Sequence, residues 1–232
     1  MSDSPVALIV GASRGLGWGL AREYLRRGWR VVATVRDLST RTPLHALLGE
    51  ADGRLEIESV DIAQPEQIAA LDVRLAGRRF DLLFVNAGVS NDPQAPAGDV
   101  TTDEFVRVMV TNALSPIRVI ERLIEQVKLD GRVAVMSSEL ASVAGNVDGG
   151  WEVYRGSKAA LNTMLRSLVA RRAGDTRTFY AVAPGWVRTE MGGADAPLDI
   201  DTSIPGVVDA LDRRAGERGL VFVNYRNDIL PW

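Results

Sequence analysis

The chain has 232 residues, 46% hydrophobic and 25% charged, a profile that excludes a disordered chain and suits one large α/β core. Cysteine is absent and His45 is the single histidine, which excludes disulfides, thiol nucleophiles, thiolate metal sites and any site built on two imidazoles. The net charge of −3 argues against a broad basic surface for nucleic acid, and no apolar run nears the ~20 residues that cross a bilayer.

In chain order, Val6–Val10 is an unbroken apolar run that ends at Gly11. Leu16, Leu20, Tyr24 and Leu25 then recur at helical spacing, with Gly28 as the stop. Arg30–Val35 and Leu55–Val60 are the second and third strands, with His45 on a short connecting helix between them. Pro65 opens a helix marked by Ile68, Leu71 and Leu75, and Leu82–Val85 is the fourth strand. Thr101 or Thr102 with Glu104 starts a long helix through Phe105, Val108, Leu114, Ile117, Ile120, Leu123 and Val127, which Pro116 should kink. Arg132–Met136, a helix from Tyr154 to about Arg171, Thr178–Val182, a helix over Ile204–Arg213, and Leu220–Val223 complete the series. Apolar strands alternating with helices predict an α/β fold, a doubly wound seven-stranded parallel sheet with helices on both faces. The irregular stretches Ser90–Asp99, Leu140–Gly150 and Thr189–Thr202 should gather at the carboxyl ends of the strands, where such sheets bind ligands.

Between the first strand and its helix lies Gly11-Ala12-Ser13-Arg14-Gly15-Leu16-Gly17. A glycine turn there brings backbone N–H groups and a helix N-terminus to a pyrophosphate. The same residues also spell the Gly-x-Ser-x-Gly elbow of α/β-hydrolases, through Gly11, Ser13 and Gly15. That reading fails, because no histidine lies late in the chain and no earlier strand can supply an oxyanion hole. Further on, Tyr154 and Lys158 stand four apart on one helix face, an arrangement in which an ammonium should lower the phenol pKa.

These motifs occur in one order. Gly11, Gly15 and Gly17 precede Asp61, then Asn86-Ala87-Gly88, Asn112, Ser137-Ser138, Tyr154 with Lys158, and Pro184-Gly185 with Thr189. Over essentially its whole length the chain resembles the short-chain dehydrogenase/reductases. Met136-Ser137-Ser138-Glu139-Leu140-Ala141-Ser142, Tyr154 to Asn162, Pro184 to Gly193 and the ending Ile229-Leu230-Pro231-Trp232 are similar to the C-factor and Sniffer-like carbonyl reductase branch. The resemblance implies a single Rossmann-fold domain over residues 1–232 and hydride transfer between a nicotinamide and a small carbonyl or alcohol substrate. Tyr154 would be the general acid, Ser138 would hold the same oxygen, Lys158 would bind the nicotinamide ribose, and Asn112 would support a proton route. Gly11, Ser13, Arg14, Gly15, Leu16, Gly17, Arg36, Asp61, Ile62, Asn86, Ala87, Gly88, Tyr154, Lys158, Pro184, Gly185, Val187 and Thr189 would line the cofactor, and no metal is implied.

Asp37, twenty residues after Gly17, superficially suits NAD(H). By resemblance the discriminating place is the uncharged Val35, followed by Arg36, and with Arg14 this favours NADP(H); Asp37 is expected to cap the next turn. Three positions depart from the family pattern. Val10 stands where threonine is usual, Val85 replaces the first asparagine of Asn-Asn-Ala-Gly, and Ser138 lies sixteen residues before Tyr154, slightly farther than usual. Ser138 is the expected substrate contact; Ser137 should point to the opposite face, and Ser142 is the outsider. A substrate lid is expected at about 189–202, with Trp151, Trp186 and Met191 as candidate apolar lining. The resemblance further implies a homodimer or homotetramer. Met1–Pro5 lacks the features of an export signal, so a cytoplasmic location is expected. An NADP-binding signalling protein with little chemistry is the alternative reading.

Overall fold

The computed structural model describes residues 4–232; Met1–Pro5, read above for an export signal, lies mostly outside them. β1 (Val6–Val10) leads through the glycine turn into α1 (Gly15–Arg26). Then follow β2 (Arg30–Val35), the short α2 (Pro43–Ala46), β3 (Leu55–Ser59), α3 (Pro65–Arg74) and β4 (Phe80–Val85). α4 (Thr102–Met109), a π-helical turn at Val110–Leu114 and α5 (Ser115–Leu123) precede β5 (Val127–Met136). α6 (Glu152–Arg171), β6 (Thr178–Ala183), α7 (Ile200–Arg213) and β7 (Gly219–Asn224) complete the chain.

All seven strands pair in parallel in the order β3-β2-β1-β4-β5-β6-β7, as the sequence pattern predicts. Successive residues of a strand face opposite sides of the sheet, and β1 divides accordingly. Leu8 and Val10 join the core formed with Ile68 of α3, Ile120 of α5 and Leu165 of α6. Ala7 and Ile9 join the other, with Leu20 and Tyr24 of α1 and Val207 and Val208 of α7. The chain order reverses at β1, flanked by β2 and β4, so a crevice forms beyond the carboxyl ends of β1 and β4. Among the described residues no helix is long and apolar enough to cross a membrane.

Several boundaries differ from the sequence expectation. The long helix does not run to Val127, which is the first residue of β5. Its interruption is the π-turn, and Pro116 accounts for it: a proline ring collides with the carbonyl four residues earlier, here that of Asn112. α6 begins at Glu152 rather than Tyr154. α7 begins at Ile200 rather than Ile204, because Asp199 accepts a hydrogen bond from the Thr202 N–H at 2.8 Å and caps it. The last residues of the expected lid therefore belong to a helix.

Tyr24 is fully buried, and its ring packs 4.8 Å from that of Trp29. Its hydroxyl has no hydrogen-bond partner among the described residues, so the phenol contributes packing but carries an uncompensated desolvation cost. Tyr24→Phe is expected to unfold at higher urea, with a gain of about 1 kcal/mol. A loss of stability would mean that the hydroxyl is bonded in solution.

Candidate active site

The glycine turn closes on β4 and leaves no room for side chains. A Cβ on Gly11, whose φ is +89°, would stand 2.7 Å from Ala87, and one on Gly17 would stand 2.0 Å from the Gly11 carbonyl oxygen. Thr34 of β2 secures the turn, its Oγ1 accepting from the Gly11 N–H at 2.9 Å, while Asn86 Nδ2 donates to the Gly11 carbonyl at 2.6 Å. Thr34 escaped the sequence reading, since nothing in a strand pattern marks which residue will brace a neighbouring loop. It supplies a hydroxyl to the turn although Val10 lacks one. The first turn of α1 has no side-chain cap and no acidic residue, so its N-terminal N–H groups face the crevice without a competing anion from the helix itself. A crowded glycine cradle at an uncapped helix end fits a pyrophosphate.

Beside the cradle stand the residues expected to carry the chemistry. Lys158 is 3% exposed, and its Nζ donates to the Met136 carbonyl at 2.8 Å and lies 5.8 Å from the Tyr154 ring centre. A Cβ on Gly88 would meet Lys158 Nζ at 3.4 Å and Asn112 Oδ1 at 3.3 Å, so that glycine admits both. Asn112 sits in the π-turn, fully buried. Its Oδ1 accepts from Val89 N–H at 2.8 Å, and its Nδ2 donates to the Val89 carbonyl at 2.7 Å and to Ser157 Oγ at 3.0 Å. Ser157, unremarked in the sequence, closes the chain by donating to the Tyr154 carbonyl at 2.7 Å. The Ser138 hydroxyl neighbours the Tyr154 phenol, and its Oγ accepts from Leu140 N–H at 3.1 Å. Ser137 instead points into the core and donates to Asn162 Oδ1 at 2.7 Å, and Ser142 accepts from Gly145 N–H at 3.0 Å inside its own turn.

The electrostatics correct one expectation. Burial pushes the Tyr154 phenol up to about 12, opposed only by the neighbouring Ser138 hydroxyl. Lys158 does not pull it down. The same burial lowers the ammonium to about 8, because a site that disfavours one charge disfavours the other. Tyr154 is thus held as a neutral phenol. Lys158 and Lys128 are the only lysines in the chain, every other basic residue being arginine. That rarity is a sequence signal for Lys158, since lysine, unlike arginine, can shift its pKa when buried.

The remaining expected contacts lie around the crevice. Arg36 is exposed after β2 and makes no ion pair or hydrogen bond among the described residues. Asp37 accepts from Ser39 N–H at 2.8 Å and from the Ser39 and Thr40 hydroxyls, capping its turn as expected. Arg14 pairs with Glu190 at 3.0 Å across the crevice, both exposed. Asp61 and Ile62 follow β3, where Asp61 Oδ1 accepts from Ala63 N–H at 2.9 Å. Ser13 and Leu16 flank Arg14 and Gly15 in the turn, and a Cβ on Gly15 would lie 3.7 Å from Thr189. Pro184 and Gly185 follow β6, with Gly185 at φ +79°, where a Cβ would meet Leu198 at 2.6 Å. Val187 bridges Leu198, Arg188 N–H donates to the Leu198 carbonyl at 2.8 Å, and Trp186 Nε1 donates to the Gly192 carbonyl at 2.8 Å. The loop that contains the expected lid is thus tied at its base and ends at the cap of α7.

The chain matches the family model of the short chain dehydrogenases over residues 5–197. It is 36% identical to C-signal of Myxococcus xanthus over 154 residues, 66% of this chain and 92% of that protein. Its fold superposes on a short-chain dehydrogenase/reductase of Burkholderia multivorans with bound NADP at a TM-score of 0.97, with 55% identity over 99% of this chain and 100% of the other. A carbonyl reductase of Pseudomonas aeruginosa in complex with NADP gives a TM-score of 0.92 and 38% identity over 99% and 100% of the two chains.

The buried ammonium has a measurable signature. Folded Lys158 holds its proton to about pH 8, whereas unfolded lysine holds it to 10.5. Between these values the unfolded state binds more protons, so this group makes stability rise with pH. Lys158→Met is expected to remove that rise, read as the difference in urea midpoint between pH 8 and pH 10. An unchanged difference would place the ammonium in water.

Proposed function

The chain belongs to the short-chain dehydrogenase/reductase family and is an oxidoreductase, and on that premise we propose that it reduces the carbonyl group of a small molecule with NADPH, Tyr154 giving the proton. The observation that carries this reading is the meeting of the Ser138 hydroxyl, the Tyr154 phenol and the Lys158 ammonium beside the glycine cradle. NADP(H), when bound, supplies or accepts hydride. Gly11, Ser13, Gly15, Leu16 and Gly17 would hold its pyrophosphate, and Asn86, Ala87, Gly88, Lys158, Val187 and Thr189 its nicotinamide side, with Asp61 and Ile62 toward the adenine.

As negative charge builds on the substrate oxygen, the Tyr154 hydroxyl gives it a proton and Ser138 donates a hydrogen bond to it. A neutral phenol is the form that can give this proton. Lys158 provides positive charge near the phenol and renews the proton through the Asn112 region. Exposed apolar side chains on the neighbouring loops, Val147, Trp186 and Met191 among them, support an apolar substrate body. Phe105 and Val106 on α4 and Met164 on α6 are exposed apolar residues, which supports a homodimer or homotetramer through those helices.

Tyr154→Phe is expected to cut turnover of a reducible carbonyl ~10²–10⁴-fold while NADPH affinity stays within about twofold. Near-normal turnover would remove Tyr154 from the mechanism. Arg36, exposed and without an ion pair among the described residues, would pair with a 2′-phosphate, so Arg36→Asp is expected to weaken NADPH binding about tenfold or more and to spare NADH. Fluorescence titration of both cofactors checks this, and tighter binding of NADH than of NADPH by the unaltered protein would overturn it.

A further inference from the structure

Three consecutive residues at the end of β5 each reach α6. Met136 accepts from Lys158 Nζ at 2.8 Å, Ser137 Oγ donates to Asn162 Oδ1 at 2.7 Å, and the Ser138 hydroxyl neighbours the Tyr154 phenol. Their partners stand at positions 154, 158 and 162, which the four-residue spacing places along one face of the helix. The outer two contacts involve the groups assigned to the reaction. The middle one touches neither substrate nor cofactor in that assignment.

Stability does not account for the middle contact. Ser137 is 2% and Asn162 3% exposed, and Asn162 Nδ2 has no partner among the described residues. Its helix neighbours Leu161 and Leu165 pack into the apolar core. A half-satisfied amide in such surroundings costs more than hydrocarbon of similar shape would. What the bond adds is register. Apolar surfaces can slide past one another by fractions of an ångström, whereas a short bond between two buried polar atoms cannot.

We propose that Ser137 and Asn162 are positioning residues, whose bond fixes the end of β5 against α6 and so holds Ser138 on Tyr154 and Met136 on Lys158. The role in turnover rests on the assignment of Tyr154 as proton donor; the effect on Lys158 does not. Loss of the crossbar loosens the carbonyl that accepts from the ammonium, which favours the neutral amine and moves Lys158 to a lower pKa.

The test compares Ser137→Ala, the double variant Ser137→Ala/Asn162→Val and Tyr154→Phe with the unaltered chain. Three readouts are taken: turnover of 4-nitrobenzaldehyde with NADPH, urea unfolding, and the pH titration of lysine followed by NMR of the labelled ε-carbon. With two lysines in the chain, and Lys128 paired to Asp81 at the surface, the Lys158 signal is readily assigned. Ser137→Ala is expected to lower kcat ~10- to 100-fold and to move the Lys158 titration down, with NADPH affinity unchanged. The double variant, freed of both polar groups, should regain stability without regaining kcat or the Lys158 titration. A Lys158 titration identical to the unaltered chain in both variants, or a double variant that recovers turnover along with stability, would overturn the proposal. Should Tyr154→Phe keep full turnover, or the aldehyde not be reduced, the proton-donor reading is what is challenged, and the Lys158 titration still decides the positioning role.

Discussion

A single ammonium buried on α6 sets the terms for the rest of the site. Lys158 is 3% exposed and has one hydrogen-bonding carbonyl, that of Met136. A charge so placed is tolerated only if a polar atom is held within reach, and burial still lowers the ammonium to about 8. Keeping that carbonyl in place requires the end of β5 to lie against α6. The two elements are joined by the apolar core below, which includes Val133, Val135, Leu161 and Leu165, and by polar contacts above. The doubly wound sheet provides the lower half of this arrangement, because parallel strands end at one edge and the crossover helix returns beside it.

The two sides of the crevice are electrostatically unlike. On one side, an uncapped helix N-terminus and a glycine turn present backbone N–H groups, with Arg36 making no ion pair among the described residues. On the other, burial holds the phenol neutral and reduces the hold of the ammonium on its proton. The first side suits fixed negative charge, and the second suits charge that appears only during a reaction. Gly88, which follows β4 beside the glycine turn and meets Lys158 and Asn112, joins the two sides.

Much of this was legible in the residues. Mostly unbroken apolar runs marked all seven strands, and their alternation with helices pointed to the parallel sheet. Gly11, Gly15 and Gly17, with Tyr154 and Lys158, stood at spacings that local geometry explains. The sequence was silent where function depends on long-range partners. Thr34 braces a turn 23 residues upstream, and Asn162 pairs with a serine 25 residues away. Neither has a periodic signature. The expected drop in the Tyr154 pKa failed for a related reason: spacing along a helix predicts proximity, but not how much water the surrounding chain excludes. The loop Trp186–Asp199 read as irregular because its order comes from backbone pairing with Leu198 and from the Trp186 indole, contacts that no local pattern announces.

The places where local rules are broken also point one way. Trp151, the residue before α6, has φ +54°, a left-handed conformation costly for a bulky aromatic residue, and follows Gly149 and Gly150 at +66° and +67°. Its surroundings hold it there. The Trp151 N–H donates to the Pro93 carbonyl at 3.2 Å, its carbonyl accepts from Arg155 N–H at 2.7 Å, and the Arg155 side chain ties back to the Gly149 and Gly150 carbonyls. The indole consequently stands edge-on to the Tyr154 ring, with centres 5.6 Å apart. A π-turn at Asn112, a half-bonded amide at Asn162 and a buried charge at Lys158 are departures of the same kind. Each costs stability by its own mechanism, and each lies on or beside the helix that carries Tyr154. Costs are found elsewhere too, as at Tyr24, but these four stand together on α6 or against it, where the residues assigned to the reaction meet.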